Sequence, residues 1–75
     1  MSRTFAETLA SCALRDTTLE LLRIDETAVM EEQEKQLKNI NIGPMERKLY
    51  QKKYDTAKEM IEYITEAKKI RRKYA

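Results

Sequence analysis

The chain has 75 residues and 8.9 kDa, with 37% charged, 41% hydrophobic and 7% aromatic residues, one Gly, one Pro, one Cys and no His or Trp. A chain this short buries only about 60% of its unfolded surface, which leaves room for one domain, marginal stability and no catalytic cleft of ordinary depth. The net charge of +2 divides unevenly: residues 1–38 hold five basic and eight acidic side chains, residues 39–75 ten basic and five acidic.

High charge with so little Gly and Pro is the composition of long helices, so the expected fold class is all-α. The first element is a short helix over about 4–14, in which Phe5, Leu9, Cys12 and Ala13 share one face. A break follows near residues 15–17. There Thr17 and Glu20 have the spacing of a capping box, in which hydroxyl and carboxylate each satisfy a free backbone N–H.

The second helix is expected over about 18–38. Leu19, Leu22, Val29 and Leu37 make an interrupted stripe with Ile24, Ala28 and Met30 beside it. Glu31/Lys35 and Glu34/Lys38 are i,i+4 pairs in the favourable order. Residues 39–43 are the one turn-rich stretch, and they divide the chain into nearly equal arms. A connection this short makes antiparallel neighbours, so a helical hairpin of two long helices is expected, with Ile40 and Ile42 plugging its closed end. The alternative is an open helix pair, coiled-coil-like, completed by oligomerisation or a partner.

The third helix is expected over about 44–73, some 45 Å at 1.5 Å per residue. Pro44 suits the first helical position, Glu46 meets the positive helix end, and Lys68, Lys69, Arg71, Arg72 and Lys73 meet the negative one. Tyr50, Tyr54, Ala57, Ile61 and Ile64 form one stripe; Met60, Tyr63, Ala67, Ile70 and Tyr74 form a second beside it. A face this wide calls for contact with more than one helix.

The chemical inventory points away from catalysis. Cys12 has no His to generate its thiolate, Glu31, Glu32 and Glu34 lack the spacing of a calcium loop, and Gly43 stands alone where a phosphate cradle needs several glycines. No enzyme activity, metal, cofactor or small-molecule substrate is therefore expected. A lone cysteine makes no internal disulfide and fits a reducing, intracellular compartment, and no apolar run reaches the length of a bilayer span.

Binding is what remains. Tyr and Met are enriched at contact patches, so Tyr50, Tyr54, Ala57, Met60, Ile61, Tyr63, Ile64, Ala67 and Ile70 are the candidate surface for a protein partner or a second copy. The expected function is a non-enzymatic interaction module, a small helical subunit of an assembly or a regulator docking on a larger protein. The alternative is a small nucleic-acid-binding or transcription-regulating protein, whose Lys68, Lys69, Arg71, Arg72 and Lys73 would contact phosphates or an acidic partner.

Overall fold

The computed structural model describes residues 3–73, and Tyr74 of the second stripe lies outside them. Three helices follow in order: α1 (Arg3–Ser11), α2 (Asp16–Leu37) and α3 (Pro44–Lys73). α2 and α3 form the expected helical hairpin, and the short α1 packs beside its open end, so the described chain is all-α. α3 is the central element, because it packs against both α2 and α1 while those two do not pack on each other. The molecule measures 49 × 24 × 16 Å, the length of α3 by the width of helices lying side by side.

Local chemistry sets the helix ends. α1 stops at Ser11, where the Cys12 N–H turns back to the Leu9 carbonyl at 3.3 Å and the Cys12 thiol donates to the same oxygen at 2.9 Å. α2 begins at Asp16 with Arg15 in the capping position, in extended conformation and without a side-chain cap. The Thr17/Glu20 capping box does not form: Glu20 is drawn instead to Arg23 and Lys68. α3 starts with half a capping box, the Gly43 N–H donating to Glu46 Oε1 at 3.4 Å while the Arg47 N–H reaches the Gly43 carbonyl at 2.9 Å.

At the closed end of the hairpin Ile40 does not act as a plug. It is 88% exposed, and Ile42 is half-buried. The turn is held by polar contacts: the Asn41 N–H donates to Asn39 Oδ1 at 2.9 Å, and Arg47 donates to the carbonyls of Leu37 at 3.0 Å and Asn39 at 3.5 Å. Short polar side chains that bond to nearby backbone supply turn geometry without burial, which frees Ile40 to stay outside.

The core is thin. Among the described residues Ala6, Leu19, Ala57, Ile64 and Ala67 are its buried members, and only Leu19 and Ile64 are large and fully enclosed. Small alanines let the helices approach closely, so they bring backbones together but bury little apolar area each. Along α2 the enclosed or half-buried positions Leu19, Arg23, Glu26, Met30, Gln33 and Leu37 repeat in steps of four and three, and they form the seam toward α3. Half of them are polar. Leu19 and Leu37 of the expected stripe thus keep their place in the seam, whereas Leu22 and Val29 turn away from it and, with Ile24, remain exposed.

Candidate interaction surfaces

The two stripes of α3 meet two different helices. Tyr50, Tyr54, Ile61 and the buried Ala57 and Ile64 line the seam with α2. In the second stripe, the Tyr63 ring meets Phe5 of α1 edge-on at 4.8 Å, with the planes at 69°. Ile70 and Arg71 line a shallow cleft with Ala10 and Ser11. Ala67 is buried, and Met60 and Ile70 are half-buried. Of the nine side chains singled out as a partner surface, Ala57, Ile64 and Ala67 are buried and the other six are half-buried. The wide apolar face of α3 is what closes the hairpin and holds α1.

The basic end of α3 is divided between structure and surface. Arg71 is 18% exposed at its side chain and ties all three helices together. Its guanidinium donates to the carbonyls of Ala10 at 2.9 Å, Cys12 at 3.0 Å and Leu9 at 3.4 Å, and to Asp16 Oδ1 at 2.8 Å. These carbonyls belong to the last turn of α1 and the loop after it; Leu9 already accepts from Cys12, and the planar fork supplies donors to Ala10 and Cys12 as well, completing the cap. Lys68 Nζ donates to Glu20 Oε1 at 2.5 Å, and Glu20 also pairs with Arg23. Hydrogen bonds from Arg23 and then from Lys68 hold the Glu20 carboxyl at about 2, below its ordinary 4.5. Glu20 in turn raises Arg23 further.

Arg23, Thr65, Lys68, Lys69 and Arg72 border an open cleft of about 260 Å³. Lys69 and Arg72 are exposed, whereas Lys68 and Arg71 are engaged inside the chain. Of the five cations read as one polyanion surface, two therefore serve the fold.

The surface left open is apolar and lies elsewhere. On α2, Leu21 is 62% and Ile24 50% exposed, and Leu22 and Val29 are exposed to a lesser degree, nearer the seam. Leu21, Ile24 and Ala28 are spaced i, i+3 and i+7, one face of the helix opposite the seam. Its surroundings are acidic: α2 carries seven carboxylates and two cations. A second apolar patch, of Ile40, Met45 and Leu49, lies at the turn end among Arg47, Lys48, Lys52 and Lys53. The sequence reading missed this α2 face, taking Ile24 and Ala28 as neighbours of the core stripe and passing over Leu21, although their i, i+3, i+7 spacing could have shown it; the Arg71 clamp had no such signal, since its partners lie 55 to 62 positions away.

No group of three or more carboxylate or thiol side chains gathers into a metal-like cluster among the described residues, and no helix there is long and apolar enough to cross a membrane. Comparison of the chain with protein-family models, with curated proteins and with solved structures finds no match.

Proposed function

We propose that this chain is a non-enzymatic protein–protein interaction module, a small helical subunit that docks through the outer face of α2. One observation carries this reading: α2 turns Arg23, Glu26 and Gln33 into its own seam and leaves Leu21, Leu22, Ile24 and Val29 outside. Leaving four large apolar side chains of one helix in water while half-buried polar ones line its seam is the reverse of what a self-contained hairpin selects, and exposed apolar patches mark interaction sites. The exposed surface agrees. At 5797 Å² it exceeds by roughly 1,000 Å² what a folded monomer of this mass shows, part of it from the elongated shape.

The test is the size of the complex that the chain enters in native extract, compared with Leu21→Asp/Ile24→Asp. The wild-type chain should migrate well above 8.9 kDa, and the variant should fall back with its helicity unchanged. A wild-type chain that migrates as a free monomer overturns the reading.

A second reading, contact with nucleic-acid phosphates, is favoured by the cleft in which Arg23, Lys68, Lys69 and Arg72 converge. Retention on a polyanion column at ~0.1 M salt that disappears in Lys69→Ala/Arg72→Ala supports it, and no retention rejects it.

A further inference from the structure

We infer that the occupant of the α2 face is a second copy of this chain, in an antiparallel pair that matches the α2 face of each copy to the turn end of the other. The inference rests on the docking reading and names its partner.

The chain exposes two apolar patches, and they carry opposite charge. Leu21, Leu22, Ile24 and Val29 sit among Asp25, Glu31 and Glu32 of α2. Ile40, Met45 and Leu49 sit among Lys48, Lys52 and Lys53 at the start of α3. Within one molecule these patches cannot meet, because the closed hairpin, whose register the Glu20–Lys68 and Asp16–Arg71 pairs fix, holds one along the middle of α2 and the other at the turn end. A copy turned end for end brings them together twice.

Such a two-fold pair satisfies each patch with the same operation, which is why closed dimers are the commonest assemblies. Pairing α2 against α2 would instead set the exposed Asp25, Glu31, Glu32 and Glu34 against their own copies. The outer face of α3, with Lys48, Asp55, Glu59, Glu62, Glu66 and Lys69, offers no apolar stripe to the partner.

A charge exchange on the full chain tests the pair. One variant carries Asp25→Lys/Glu32→Lys, the other Lys52→Glu/Lys53→Glu; all four positions are exposed, and circular dichroism checks that helicity is kept. In light scattering after size exclusion the wild type should be twice 8.9 kDa, each variant alone should dissociate at least ~10-fold more readily, and an equimolar mixture of the two should recover the dimer. The mixture is decisive, because only there does every patch again face its opposite charge.

A wild-type chain that stays at 8.9 kDa, one that grows beyond a pair, or variants that the mixture does not rescue overturn the inference. If such a chain still enters a larger complex through Leu21 and Ile24, the docking reading stands and the second copy is excluded.

Discussion

Arg71 Nη1 lies 2.8 Å from Asp16 Oδ1, joining the last turn of α3 to the first turn of α2 across 55 positions of sequence. The same guanidinium caps the end of α1. A side chain read from sequence as part of a cationic surface is thus the fastening between the two arms and the N-terminal helix. Arg71→Ala should cost about 2–3 kcal/mol, since charged hydrogen bonds are lost and carbonyls are left unpaired. Arg71→Lys should recover little, because an ammonium cannot fork to several carbonyls. Urea unfolding measures the loss, and hydrogen exchange over residues 5–11 should report that α1 is released first.

Glu20 predicts an acid dependence. Its carboxyl titrates at about 2 when folded, held down by Arg23 and then Lys68, against 4.5 ordinarily. A depressed folded value means its contribution is full above about 4.5 and is lost as pH falls toward about 2. The melting midpoint should decline across that window, less steeply in Glu20→Gln. Both the pair and its pH dependence should weaken in high salt, because the site is open to solvent.

Gln33 occupies the polar seam, and its Oε1 is buried without a hydrogen-bond partner. An unpaired buried carbonyl costs about 1–3 kcal/mol. Gln33→Leu, which removes it and adds apolar contact toward α3, should raise stability by about 1 kcal/mol and the melting midpoint by about 4–8 °C. Scanning calorimetry decides it; an unchanged or lower midpoint would show that this amide is satisfied in solution.

Ile64 and Leu21 make a matched pair. Ile64 is fully buried between the helices, whereas Leu21 is largely exposed on the far side of α2. Ile64→Ala should cost about 2–5 kcal/mol and leave so small a domain largely unfolded. Leu21→Ala should change the stability of a monomeric population by no more than about 0.5 kcal/mol. A large loss at Leu21 under dilution would place it in the core.

How much of this was legible depends on the range of the interaction. The all-α class, the hairpin and the short N-terminal helix followed from sparse Gly and Pro, Gly43-Pro44 and the apolar steps of three and four. The wide face of α3 announced a second helical neighbour, which α1 supplies. The rotation of α2 was not legible, because its apolar residues are spread around most of the helix and Leu22 or Val29 suits a seam as well as Met30 does. Pairing of Glu20 with Lys68 and of Asp16 with Arg71 goes with the rotation seen, and such contacts have no local signature. Ile40 misled for a related reason: apolar character favours burial, yet a turn already satisfied by Asn39 and Arg47 gives it nothing to pack against.

That α1 touches α3 and not α2 has a consequence for how the chain is made. During synthesis residues 3–11 emerge before any part of their binding site exists, and 22 residues of α2 follow that offer them no packing surface. Their partners, Tyr63, Ile70 and Arg71, come last, and translation at about 5–20 residues per second separates the two by seconds. An isolated nine-residue helix is too short to persist in water over that interval. Residues 3–11 therefore take their shape only after α3 has been made, and Phe5 and Leu9 stay uncovered and available to chaperones until then.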